Sequence, residues 1–336
     1  MEAAFAHTRL QRTGLGLAAM SPLARFARLS TPVRAAGFVL LAGVGFALMI
    51  TLIRHLATNL LVDPMEIVFF RNLFASIGML PWLMRHGAGA MKTRRFPLVS
   101  LRVLFGLISM ATWFSALAIV PIANAVALSF TAPLFAAVAA VLVLGEKVRA
   151  RRITALLLGF GGMLVILRPG HAEVGWGELL VVLSAMTMAF SIICMKLLTR
   201  TEQPAALVAW QNMLLTPVSL VPALFFWTWP TPEAWLCLAA VGFIATLSHL
   251  CFTRGFSMAD TTYLLPFDYI RLPLVAVLGW FAFGEATDIW TWVGAAIIAA
   301  STFYVARREA LARRKEIALE GKGPVRTTAG RDPGAP

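Results

Sequence analysis

Apolar residues in this chain fall in blocks of about 20, separated by short polar breaks, and about 20 helical residues span roughly 30 Å of hydrocarbon. This pattern constrains the fold more than any motif, because inside a bilayer only helices and closed barrels satisfy every backbone polar group. The blocks lie near residues 35–53, 65–84, 98–119, 123–144 and 152–168, then 177–195, 205–227, 234–253, 262–283 and 288–306. The third and fourth are parted only at Val120 and Pro121. Fusing them, or the eighth with the ninth, would far exceed the bilayer thickness. The connections are too short to hold an extramembranous domain. Of the 336 residues 59% are hydrophobic and 13% charged, and a water-soluble core of this size could not hide so much apolar surface. The expected fold is an all-α membrane protein with ten transmembrane helices.

Charge orients the spans, since Lys and Arg accumulate on the cytoplasmic side of short loops. With the N-terminus inside, 24 of the 29 Lys and Arg residues fall on cytoplasmic loops and tails. Only Arg54 and Arg168 fall on the opposite face, while Arg71, Arg102 and Arg271 lie within spans. Ten spans with both termini cytoplasmic satisfy this alternation; nine or eleven would scramble it. The net charge of +13 follows from topology and attraction to anionic lipid, so no nucleic-acid partner is expected. Residues 1–34 form a cytoplasmic N-terminal tail without the features of a secretory signal, with Met20 as a second possible start. Residues 307–336 are expected to be a disordered cytoplasmic tail. Cys194, Cys237 and Cys251 have no paired spacing and behave as small hydrophobes rather than disulfides or metal ligands.

The two halves of the chain resemble each other. Phe114, Pro133 and Gly145-Glu146 in the first are matched by Phe252, Pro273 and Gly284-Glu285 in the second, at offsets of 138, 140 and 139 residues. Five spans per unit, an odd number, make the second copy cross the membrane in the reverse sense. The expected organisation is two inverted five-helix repeats, 35–168 and 175–306. Such copies can exchange conformations, closing one side as the other opens, which is the physics of alternating access. A scaffold descended from a duplicated gene is the plainer reading, but no large loop exists to scaffold anything.

The segment Phe114-Ser115-Ala116-Leu117 with Ala125, Pro133, Leu144-Gly145-Glu146, Gly159 and Gly162, echoed by Pro273 and Phe283-Gly284-Glu285, resembles the EamA-type transporters of the drug/metabolite transporter superfamily. The resemblance covers roughly residues 35–306. It implies a secondary transporter of a small organic metabolite in a bacterial inner membrane. Members of the family export amino acids and other metabolites, or import riboflavin or S-adenosylmethionine. Export is the expected direction, and uptake of riboflavin or S-adenosylmethionine the alternative. The second half departs from the pattern at Arg254, Asp268, Tyr269 and Arg271, which leaves the cargo open.

Charges at bilayer depth cost about 2.5–3.5 kcal/mol each, so they face a cavity or a partner. Arg71 in the second span and Asp268 and Arg271 in the ninth meet this description. Asp268 and Arg271, three apart, share one face of a helix and permit a local ion pair. Either they neutralise each other, or Arg271 attracts a carboxylate or phosphate and Asp268 holds an amine or a proton. Arg102, near the cytoplasmic boundary, is expected to snorkel. Trp113, His249, Tyr263 and Tyr269 complete the candidate substrate-binding set, His249 with packing as its alternative role. Pro133 and Pro273, in corresponding spans, are candidate hinges. The glycine clusters Gly43-x-Gly45 and Gly159-x-Gly161-Gly162 lie inside apolar spans and suit close helix packing rather than a dinucleotide.

No Walker P-loop is present, so no nucleotide cofactor is expected and the energy comes from protons or a counter-transported solute. Asp268 is the candidate proton carrier. An intramembrane enzyme is disfavoured: the five histidines form no HExxH pair and no G-x-S-x-G elbow occurs. A channel is the third option. The expected partners are a small-molecule substrate and the lipid bilayer.

Overall fold

The computed structural model describes residues 31–87, 93–144, 150–168, 175–198, 202, 204–258, 264 and 267–320. Among them are eleven helices and no strand: α1 (Thr31–Thr58), α2 (Pro64–His86), α3 (Phe96–Ile119), α4 (Ile122–Ser129), α5 (Ala132–Leu144), α6 (Ala150–Leu167), α7 (Trp176–Leu198), α8 (Pro204–Phe225), α9 (Pro232–Met258), α10 (Arg271–Phe283) and α11 (Ile289–Glu320). Five of them, α1, α2, α3, α7 and α9, are by themselves long and apolar enough to cross a bilayer.

The start and stop signals are local. Asp63 caps α2, its carboxylate accepting from Met65 N at 2.7 Å, and Pro64 occupies the first helical position, where no N–H is needed. At the other end of α3, Val120 closes the last turn and Pro121 starts a new direction, so the third and fourth spans are separate helices. Gly284 adopts a left-handed conformation (φ 67°), and the N–H groups of Gly284 and Glu285 cap α10 on Trp280 and Gly279. A side chain is strained there, and the turn it makes aims Glu285 back at the bundle.

The fourth span is broken. Phe130 and Thr131 separate α4 from α5, with the Thr131 hydroxyl donating to the Leu128 carbonyl at 2.7 Å. Pro133 therefore lies in the first turn of α5, and Pro273 in the first turn of α10. In both repeats the proline opens a half-helix, where its missing N–H costs nothing, instead of kinking a continuous one.

Packing follows a pseudo-twofold. α1 packs along α9 as α3 packs along α7, and α1 against α10 as α5 against α7. The pairs α2·α8 and α6·α11 map onto themselves when the repeats exchange. Residues 139 positions apart take equivalent places at these crossings. A Cβ on Gly45 would collide with the Ser248 hydroxyl, while Ser109 and Ser184 donate their hydroxyls reciprocally to each other's carbonyls at 3.0 and 2.8 Å. Two serines that bond backbone to backbone hold α3 and α7 as close as Gly45 lets α1 approach α9. At the α6·α11 crossing a Cβ on Gly162 would sit 2.9 Å from the Gly294 carbonyl, whereas one on Gly161 would meet nothing within 4 Å. The bundle's outer surface is apolar, with Met84, Phe225, Trp229 and Phe281 more than 70% exposed, as a lipid solvent requires.

Two expectations are corrected. Arg102 does not snorkel: it is 5% exposed, and its guanidinium donates to the Leu207 carbonyl at 2.9 Å and to Met195 Sδ at 3.5 Å. It lies six residues inside α3, about 9 Å along the axis, and points at α7 and α8 rather than at an interface. Residues 307–320, expected in a disordered tail, continue α11 to Glu320. Their Ala, Leu, Glu, Lys and Arg content is strongly helix-forming. Residues 1–30 and 321–336, Gly145, Glu146, Pro266 and the candidate Tyr263 lie outside the described residues.

Candidate functional site

The candidate residues in the second, eighth and ninth spans converge. His249 of α9 stands edge-on to Phe46 of α1, ring centroids 4.9 Å apart. Its Nδ1 lies 2.8 Å from the Ala245 carbonyl, which can only accept, so Nδ1 carries the hydrogen and Nε2 is left as an acceptor when the ring is neutral. Arg271, the first residue of α10, holds its guanidinium 5.8 Å from the Phe46 centroid and 5.2 Å from that of Phe130. Phe130, at the break between α4 and α5, packs edge to face on Tyr269 at 4.7 Å. Thr302 of α11 stands beside the Tyr269 hydroxyl. Arg71 of α2 is 9% exposed and donates to Asn72 Oδ1 at 2.9 Å. His249 lies in the field of both Arg71 and Arg271.

This cluster has an unbalanced charge. Among the described residues neither Arg71 nor Arg271 has a carboxylate within ion-pair distance, and the Arg271 Nε is buried without a hydrogen-bond partner. Asp268 and Arg271 do not form the ion pair that their spacing would permit on one helix. Their spacing presumed one continuous helix, but Tyr269 and Ile270 form a turn and α10 begins only at Arg271, so the i,i+3 rule does not apply. The buried Arg71 and the half-buried Arg271, the latter beside the faces of Phe46 and Phe130, can receive a flat molecule carrying carbonyl, carboxylate or phosphate oxygens.

The structure brings together Arg71, His249, Tyr269 and Arg271. Trp113 packs against the main apolar core, with no ring contact or hydrogen bond to the cluster among the described residues. Sequence reasoning missed Phe46, Asn72 and Phe130. Asn72 was visible as an amide beside Arg71 in an apolar span, and Phe130 as the bulky residue before a proline break; Phe46 carried no signal. A separate crevice of about 230 Å³ between α2 and α8, lined by Ser76, Leu80, Leu83 and Met213 among others, is almost wholly apolar and unsuited to a polar cargo. Among the described residues no group of three His, Cys, Asp or Glu could hold a metal ion.

A second cluster ties the two repeats at the end of the bundle where α1 finishes and α11 begins. Arg54 of α1 contacts Glu285 with Nη2 to Oε1 at 2.8 Å, a charge contact without hydrogen-bond alignment, both side chains being 13% exposed. Glu285 Oε2 accepts from Ile122 N at 2.8 Å, at the start of α4, and Arg54 Nη1 donates to the Leu117 carbonyl at 2.7 Å. Arg168 pairs with Asp288, Thr228 N donates to Glu66, and Thr291 donates to Asn124 at 2.7 Å. The carboxylate of Glu285 thus meets a cation and the positive end of a helix together. Apart from the Arg54–Leu117 bond, which lies within the first repeat, each of these contacts joins one repeat to the other. Towards the opposite end Thr93 donates to Glu202 at 2.9 Å, a bond with one neutral partner.

Ten apolar spans in two inverted repeats, with a polar cluster drawn from both, define a multi-pass membrane transporter rather than an enzyme. The chain belongs to the EamA-like transporter family, whose model matches twice, over residues 33–168 and 175–307. It is 35% identical over 289 residues to a riboflavin transporter of Rhizobium johnstonii, covering 85% of this chain and 95% of that one. It is 31% identical to an S-adenosylmethionine uptake transporter of Rickettsia bellii, covering 84% of this chain and 96% of that one. At 26% identity it is similar to a pseudopaline exporter of Pseudomonas aeruginosa, covering 80% and 94%.

Proposed function

We propose that this chain is a secondary transporter of a bacterial inner membrane, both termini cytoplasmic, that carries riboflavin or a closely similar flat, acceptor-rich molecule by alternating access. The observation that carries the reading is the pair of guanidiniums, Arg71 buried on α2 and Arg271 half-buried against Phe46 and Phe130, neither with a carboxylate at ion-pair distance among the described residues. A flavin ring offers two carbonyl oxygens and ring nitrogens to such donors and a π-face to such rings. S-adenosylmethionine carries a sulfonium and an ammonium against one carboxylate, a net positive charge that the two guanidiniums repel, which supports the first relative's cargo over the second's. Pro133 and Pro273 are the proposed hinges, since each opens a half-helix at the matching point of its repeat. The ion pairs at the Arg54 end support an assignment of that end as extracytoplasmic and closed in this state.

The proposed direction is inward; the uptake transporter among the relatives supports it, and the pseudopaline exporter supports the export reading. Asp268 is the proposed proton carrier. The test is tracer flux of riboflavin into proteoliposomes containing the purified chain, with S-adenosylmethionine as competitor. Saturable riboflavin flux unaffected by S-adenosylmethionine supports the reading. Flux linear in concentration, or riboflavin flux no greater than in empty vesicles, rejects it.

A further inference from the structure

We infer that Asn72 is a positioning residue for Arg71, a neutral acceptor that orients the guanidinium while leaving its charge unspent for the cargo. The inference rests on the reading of Arg71 as a cargo contact. Asn72 is fully buried on α2. Its amide nitrogen has two hydrogens, and both are used: one donates to the Val68 carbonyl at 2.8 Å and the other to Met110 Sδ of α3 at 3.4 Å. With the nitrogen held on that side the oxygen must face Arg71, and it accepts from Nη1 at 2.9 Å. The amide is therefore locked from two helices, and one guanidinium nitrogen is locked to it.

The residue type matters as much as the geometry. A carboxylate at this position would satisfy the same bond but form an ion pair in a medium of low dielectric, leaving little field for an incoming acceptor. An apolar residue would leave the Arg71 fork free to rotate away. Asparagine orients without neutralising. Met110 also places this support on α3, which packs against the second repeat through α7, so a movement of α3 relative to α2 would change how Arg71 is held.

The test is riboflavin flux in proteoliposomes for Asn72→Asp and Asn72→Ala, each alone and in an Arg71→Gln background, with rates divided by the amount of folded protein. Both single variants are expected to raise KM roughly tenfold with maximal rate within twofold of the parent, a loss of binding common to ground and transition states. In the Arg71→Gln background the same changes are expected to add less than twofold, because they act only through Arg71. If Asn72→Asp does not fold, Asn72→Ala carries the comparison. Unchanged KM in the Asn72 variants while Arg71→Gln raises it overturns the positioning role alone. Unchanged KM in Arg71→Gln overturns the cargo reading and this inference with it. A fall in maximal rate at constant KM reduces Asn72 to helix packing and also overturns it.

Discussion

Arg54 near the end of α1 and Glu285 just beyond α10 meet at 2.8 Å across the two repeats, each 13% exposed. Neither partner stands alone: Glu285 also receives the Ile122 N–H, and Arg54 also donates to the Leu117 carbonyl. One carboxylate therefore gathers α1, α4 and α10, and its position depends on the left-handed turn at Gly284.

Glu285→Gln keeps an acceptor for Ile122 N but removes the charge, whereas Glu285→Leu removes both. A part-buried pair of this kind contributes about 1–3 kcal/mol, between the exposed and the fully buried cases. The amide is expected to slow transport several-fold and leucine more, with maleimide labelling of a cysteine placed beside the cluster, at Ala57, rising in the same order. Equal labelling in all three proteins would show that the pair does not hold this end shut.

Gly284 is expected to tolerate alanine poorly, because an L-residue pays about 1–2 kcal/mol in the left-handed region. The Gly284→Ala protein should unfold at lower temperature in detergent and should label at the Arg54 end as the Glu285 variants do. Normal melting with normal labelling would mean the turn is not what places Glu285.

Arg271 sits over two rings, and each cation–π contact is worth about 0.5–2 kcal/mol once desolvated. Phe46→Leu and Phe130→Leu are each expected to raise KM by several-fold, and Arg271→Gln by more. The readout is initial riboflavin flux against concentration; a KM unmoved in all three would dissociate the cluster from the cargo.

The crossing of α6 and α11 gives a paired control. Gly294→Ala would put a Cβ 2.6 Å from the Gly162 carbonyl, while Gly161→Ala meets nothing within 4 Å. Overpacking of backbone on backbone costs about 1–3 kcal/mol, so thermal stability in detergent should fall for the first and stay level for the second.

Asp268→Asn separates proton coupling from a structural role. Coupling through this carboxylate requires that an imposed pH gradient stimulate flux in the parent and not in the variant. Equal stimulation in both would remove Asp268 from the proton path.

The spans, the break at Val120–Pro121, the repeat and the charge of Arg71 inside a span were legible from residue order, because lipid allows few backbone solutions and tolerates charge only where something answers it. The offset of 139 residues from Glu146 brought out Glu285 as a repeat marker, yet nothing local linked it to Arg54, more than two hundred residues earlier. Spacing misled where it assumed continuous helix, as at Asp268 and Arg271, and where it assumed that a charge near a helix end escapes to water, as at Arg102. Which helix faces which is set by interlocking small side chains such as Gly45 against Ser248, contacts between distant parts of the chain whose strength depends on shape. Order along the chain determined that it folds as a bundle of apolar spans in two repeats; only the packed bundle decided that Phe46, Asn72 and Phe130 join the two arginines, since convergence in space leaves no period in sequence.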